Sequence, residues 1–152
     1  MMEYLEGVKK AKTLEIGELL VQAEGTEVKV NGAVHTIRDM GNVAFVILRK
    51  RDGLVQCVFE EGVTAFDLKE LKEASAVEVL GTIRKEGRAA HGIEIRLKEI
   101  KVLSEPDEPL PLPISKWKLN TSLEAKLNMR PISLRNVRER AKFKIQEGLV
   151  RG

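Results

Sequence analysis

One cysteine, two histidines and no long apolar run set the first limits on this 152-residue chain. A lone Cys57 cannot close an internal disulfide, and it has no Cys/His cluster around it to hold zinc. It sits in an apolar run and reads as a small buried hydrophobe. No stretch approaches the roughly 18 apolar residues a membrane helix needs, so no membrane role is expected. The N-terminal MMEYLEGVKKAKTLEIGELL mixes acidic and basic residues and lacks an apolar core. It is therefore neither a signal peptide nor a transit peptide, and a cytoplasmic location is expected. Nucleophilic catalysis is also poorly provided for. There is no Ser/His/Asp set, no Cys/His pair and no glycine-rich phosphate loop. His35 and His91 fall near hairpins or strand ends, and the carboxylates are scattered over solvated faces. No catalytic site, metal site or cofactor is expected within these residues.

Net charge is small, +3, but its distribution is uneven. Residues 1–108 hold 16 Lys+Arg and 20 Asp+Glu, whereas residues 109–152 hold 10 and 3. A break this sharp suggests two units. It also argues against a purely electrostatic nucleic-acid binder in the first unit. An acidic unit that binds nucleic acid must use specific base contacts or borrow charge from elsewhere. Apolar residues make up 43% of the chain, enough for a packed core.

The hydrophobic period changes along the chain. Residues 1–26 form an N-terminal extension in which Leu14, Ile16, Leu19 and Leu20 predict a short helix. From Val28 the period is two: Val28, Val30, Gly32 and Val34 alternate with Lys29, Asn31, Ala33 and His35. Gly32 within that strand predicts a sharp bend. The turn Asp39-Met40-Gly41-Asn42 leads to a second strand at Val43–Arg49. Asp52-Gly53 supplies a hairpin turn before a third strand at Leu54–Phe59. A helical pattern at Thr64–Ala74 carries Phe66, Leu68 and Leu71. Strands at Ala76–Arg84 and Gly92–Leu103 follow, divided at Glu86-Gly87. In the last, Ile93, Ile95 and Leu97 alternate with Glu94, Arg96 and Lys98. The order is β-β-β-α-β-β over residues 27–104, a mainly β pattern. It is the element order of the five-stranded OB-fold barrel, whose outer face on strands 2 and 3 commonly takes oligonucleotides. Residues 105–130 read as a linker, with four prolines within 104–113 favouring an extended chain. Residues 131–152 open a further unit. Its Asn136–Val150 segment is an amphipathic helix with Val137, Ala141, Ile145 and Leu149 in one stripe.

Strand 2 carries the candidate chemistry. If Ala44, Val46 and Leu48 fill the core, Phe45 lies outside, beside Gln56 and Glu94 of neighbouring strands, with Arg38 and Asp39 at the rim. Such a face reads bases: an aromatic ring stacks on them, Gln offers a donor and an acceptor, Glu accepts, and Arg forks onto acceptors or phosphate. In the opposite phase Phe45 is a core residue and the polar groups are ordinary surface. The alternation alone leaves both readings open.

The segment His35-Thr-Ile-Arg-Asp-Met-Gly-Asn-Val-Ala-Phe-Val-Ile-Leu-Arg49, followed by Asp52-Gly-Leu-Val-Gln56, resembles the anticodon-binding barrel of aspartyl-tRNA synthetases. Gly92-Ile-Glu-Ile95 resembles that family's last barrel strand, and Pro109-Leu-Pro-Leu-Pro113 its linker to the catalytic domain. Arg130-Pro-Ile-Ser-Leu-Arg135 and Ala141-Lys-Phe-Lys-Ile145 resemble the opening of that domain. The chain departs from the family at Pro131-Ile-Ser, where Phe/Tyr-Leu-Asp is usual, and at Lys50-Arg51, where an acidic-basic pair is commoner. Motifs two and three of class II synthetases are absent. The resemblance implies that Phe45 stacks on an anticodon base and Gln56 bonds the central uridine. It implies that Arg38, Asp39 and Glu94 contact the flanking positions. It further implies a longer, homodimeric parent enzyme that joins aspartate to tRNA with ATP and magnesium, of which this chain is a fragment. Asparaginyl or dual specificity stays open, as does a free-standing single-strand-binding OB protein.

Overall fold

The computed structural model describes residues 13–152. The part of the N-terminal extension at 1–12 lies outside them. A short helix α1 (Ile16–Leu20) precedes five strands: β1 (Glu27–Asp39), β2 (Val43–Arg49), β3 (Leu54–Glu60), β4 (Ala76–Lys85) and β5 (Ile93–Ser104). The strands close into a ring in the order β1-β2-β3-β5-β4. All neighbours are antiparallel except β3 and β5. Closure leaves no free sheet edge along the ring, and the outer face stays available for binding.

The period-two pattern places the core. Ala44, Val46 and Leu48 of β2 are almost fully buried, as are Val55 and Cys57 of β3 and Ile95 and Leu97 of β5. Burial pushes the Cys57 thiol up to about 12, with the Glu94 charge adding to it, so the thiol stays neutral. Leu19 of α1 enters the same core. The helix is tied down where the Ile16 N–H donates to the Asp52 carboxylate at 3.0 Å.

Two glycines let the ring bend. Gly32 stands where β1 passes from β4 to β2, and a Cβ there would meet the Arg49 carbonyl oxygen at 3.1 Å. Gly81 lies at a register shift between β4 and β5, and its Cβ would lie 2.4 Å from the Arg96 carbonyl oxygen. At Gly81 no side chain fits without a backbone shift, whereas at Gly32 one fits only if the Arg49 carbonyl gives by a few tenths of an ångström.

The helix expected at Thr64–Ala74 is only a single 3₁₀ turn, Leu68–Glu70. Its backbone is committed elsewhere: the Ala65 N–H donates to Lys98 and the Ala74 N–H to Val34. Leu71 is buried and Phe66 and Leu68 pack on the barrel, so the apolar spacing reflects burial rather than helix. The proline-rich segment also differs from the extended spacer expected. Leu112, Ile114 and Leu119 are buried together, with Leu110 and Ile132 against them, in a small second core. Helices α2 (Leu123–Asn128), α3 (Arg130–Ser133) and α4 (Val137–Arg151) follow. Asn136 caps α4 by accepting from the Arg138 and Glu139 N–H groups. Its own amide donates to Ile114 and Lys116 at 2.9 and 2.7 Å. The Arg140 guanidinium donates to the Arg51 carbonyl, so the start of α4 leans on the β2–β3 turn. Further along, Phe143, Ile145 and Leu149 are exposed.

Candidate nucleic-acid interface

With Ala44, Val46 and Leu48 inside, the other phase of β2 faces out. Strand register arranges that face in two rows. In one, Arg38 pairs with Phe45, Phe45 with Val58 and Val58 with Arg96. In the other, Thr36 pairs with Ile47, Ile47 with Gln56, Gln56 with Glu94 and Glu94 with Arg84. Phe45 is half-buried, and Arg38 is exposed beside it. Phe45 and Gln56 are diagonal neighbours on adjacent strands, a separation of about 7–8 Å between backbones that an aromatic and a long side chain readily bridge. Arg38, Thr36, Ile47 and Gln56 line a cleft of ≈ 270 Å³ together with Leu54 and Arg88.

Glu94 is not a solvated surface group. It is 3% exposed. Its Oε2 accepts from Gln56 Nε2 at 3.1 Å, and its Oε1 lies 3.7 Å from Arg84. A carboxylate only accepts, so this bond fixes which way the Gln56 amide faces. One Gln56 N–H is spent on Glu94. Its oxygen and its second N–H remain for a ligand. Arg96 is likewise engaged, donating to Glu60 at 2.6 Å, which holds its guanidinium charged.

Asp39 stands exposed at the rim of the first hairpin. The residue ends β1 opposite Ala44. Its Oδ1 accepts the Gly41 N–H at 2.8 Å, shaping the turn in which Gly41 takes φ +91. Arg38, Phe45, Gln56 and Glu94 thus come together on one face while Asp39 closes the turn beside them. Arg84 and Thr36 escaped the sequence reading. Only the β4–β5 and β1–β2 registers reveal them, and those depend on a bulge at His35 and another beside Gly81. Among the described residues no three His, Cys, Asp or Glu side chains gather in a metal-holding group, and no helix is long and apolar enough to cross a membrane.

The profile described as "OB-fold nucleic acid binding domain", of the tRNA-anticodon type, matches residues 28–103. The aspartate–tRNA(Asp/Asn) ligase of Saccharolobus solfataricus is 34% identical over 141 residues, 92% of this chain and 33% of the relative. The ligase of the same name from Deinococcus radiodurans is 38% identical over 131 residues, 86% of this chain and 29% of the relative. Among solved structures, the asparaginyl-tRNA synthetase of Pyrococcus horikoshii bound to asparaginyl-adenylate superposes with a TM-score of 0.75 at 25% identity, over 91% of this chain and 32% of that one. The chain therefore spans about a third of the length of the relatives it matches.

Proposed function

Because this chain belongs to the tRNA-anticodon family of OB-fold nucleic acid binding domains, we propose that it reads the anticodon loop of a tRNA as the N-terminal part of an aspartate–tRNA ligase. The observation that carries this reading is the Gln56–Glu94 pair beside Phe45. Phe45 offers a stacking platform for one unpaired base, a contact of about 1–3 kcal/mol. Gln56, its amide set by Glu94, offers an oxygen and one N–H to the base edge. Uracil answers with its imino N–H and a carbonyl oxygen, so both hydrogen bonds form. Cytosine and adenine place a ring-nitrogen acceptor opposite the Gln56 oxygen. Two acceptors then face each other, at a cost of about 1–3 kcal/mol. Arg84 supports the arrangement by balancing the buried Glu94 charge. Arg38 stands free at the edge for a flanking base or phosphate. Asp39 acts on a flanking base only indirectly, through the turn it holds.

The splayed loop has an unstacking cost that these contacts offset, so recognition requires several bases at once. In the whole enzyme, ATP and magnesium activate aspartate on a catalytic domain beyond these residues. That parent is a cytoplasmic homodimer. The names of the relatives, which carry both Asp and Asn tRNA, favour a dual reader as the second possibility. The two anticodons share the central uridine and differ at the third base.

Binding of the 152-residue chain to RNA hairpins with the loop anticodons GUC, GAC and GUU tests the reading. Preference for GUC over GAC, lost in Gln56→Ala, supports it. Equal binding of GUC and GAC removes it in favour of a general single-strand binder. GUU bound as well as GUC selects the dual form.

A further inference from the structure

We propose that Arg49, Arg135, Arg140 and Lys144, at the junction of barrel and tail, form a phosphate site for the same RNA strand whose bases lie on Phe45 and Gln56. This rests on the anticodon reading and adds a second point of contact to it.

The four cations line a small cavity of ≈ 120 Å³ between the end of β2 and the first turns of α4. None of them forms an ion pair among the described residues. Arg49 Nη1 is buried and has no hydrogen-bond partner. Burial, and then the nearby charges of Arg135 and Arg140, lower the Arg49 pKa. Asp52 is the one carboxylate on the wall, and it is already bonded to the Ile16 N–H. Lys50, also on the wall, is directed to the Asn31 carbonyl and Glu15. Like charges crowded around a half-buried, unpartnered guanidinium leave a deficit that an anion relieves.

Position and charge point to RNA phosphate as that anion. Arg49 shares the outward phase of β2 with Phe45 and Ile47, four residues and about 13 Å from Phe45. A strand laid on the Phe45–Gln56 face and continuing along β2 meets the cluster. Residues 27–104 hold 13 Lys+Arg against 12 Asp+Glu, so the barrel alone offers a phosphate backbone little net attraction, while residues 109–152 carry 10 Lys+Arg against 3 Asp+Glu. Folding α4 onto the β2–β3 turn brings that charge to the face that lacks it. Arg140, held by the Arg51 carbonyl, is placed in advance of any ligand.

The test is the salt dependence of binding to the GUC hairpin from about 50 to 200 mM KCl, for the intact chain and for Arg140→Gln/Lys144→Gln. Arg151→Gln, which removes one charge at the far end of α4, is the control. Each lost phosphate contact to single-stranded RNA flattens the slope of log K against log salt by about 0.7. The expected result is a flatter slope and several-fold weaker low-salt binding in the double variant, with the GUC preference kept and the control unchanged. Should the double variant fold poorly by circular dichroism, Lys144→Gln alone must show the smaller flattening. If the preference is present and neither variant alters the slope, the phosphate site is overturned and the anticodon reading stands. Flattening without any GUC preference keeps the phosphate site and overturns the anticodon reading. Absence of RNA binding overturns both.

Discussion

Residues 27–104 and residues 105–152 differ in core and in charge, and the two differences are linked. The barrel buries a continuous core of some eighteen residues drawn from every strand and from α1. The tail buries Leu112, Ile114 and Leu119 and little more. The barrel can therefore stand as a rigid platform, whereas the tail depends on polar anchors: the Asn136 amide on two carbonyls and Arg140 on the β2–β3 turn. Charge runs the other way. The barrel is nearly neutral, with 13 Lys+Arg against 12 Asp+Glu, and reads through directed groups, while the tail, with 10 against 6, carries the basic excess. Specificity and phosphate attraction thus sit on different segments, as base contacts and backbone contacts generally divide those tasks.

The largest expected effect breaks the structural half of this contrast. Leu97→Ala empties a fully buried site in the barrel and should cost about 2–5 kcal/mol of global stability by urea denaturation. Leu119→Ala, equally buried, should instead raise amide exchange only in residues 110–136 and leave the barrel midpoint in place. A common loss in both variants would mean the two regions unfold as one.

Next comes the stacking platform. Phe45→Ala should weaken hairpin binding by about 1–3 kcal/mol with little change in melting temperature, because the ring faces outward. A large fall in melting temperature would return Phe45 to the core. Smaller still, Glu94→Gln should blur the choice of central base. A glutamine there can donate as well as accept, so Gln56 is free to turn over. Discrimination of U against C should shrink by about tenfold, roughly 1.4 kcal/mol, while overall RNA affinity changes less.

The smallest effect concerns His35, buried at the β1 bulge with Nδ1 unpartnered. Burial, then Arg49, lowers its pKa, and Glu73 opposes the shift only in part. The folded state therefore prefers the neutral ring. The unfolded chain binds the extra proton first, so stability is full above about pH 6.5 and falls as pH drops below it. Urea midpoints at about pH 7.5 and 5.5 should show that fall, and His35→Gln should flatten it.

Much of the barrel was legible because one physical signal dominated it. Residues at the start of β1 and along β5 alternate between apolar and polar, and such alternation reports which side faces the core, whereas the almost wholly apolar β2 left both phases open. β2 begins and ends where the sequence places it, at Val43 and Arg49. The signal failed where burial has a cause other than period. Phe66, Leu68 and Leu71 are spaced like a helix but serve a loop pressed on the barrel. The prolines of 106–113 read as a spacer, yet the leucines between them found a shared core. Glu94 follows the polar phase of β5 and is nonetheless buried, because Gln56 and Arg84 meet it across the sheet. Those partners are set by register, and that of Arg84 depends on the shift beside Gly81. The base-reading residues were visible as types in the sequence. The bond that orients Gln56, and the tail charge folded beside β2, required the structure.

Base reading requires that a nucleobase sit on the Phe45–Gln56 face. A GUC hairpin carrying 4-thiouridine at the central anticodon position, irradiated with the chain and mapped by peptide mass spectrometry, tests it most directly. Attachment is expected within β2 or β3, next to Phe45 and Gln56. Attachment confined to residues 105–152 would contradict it.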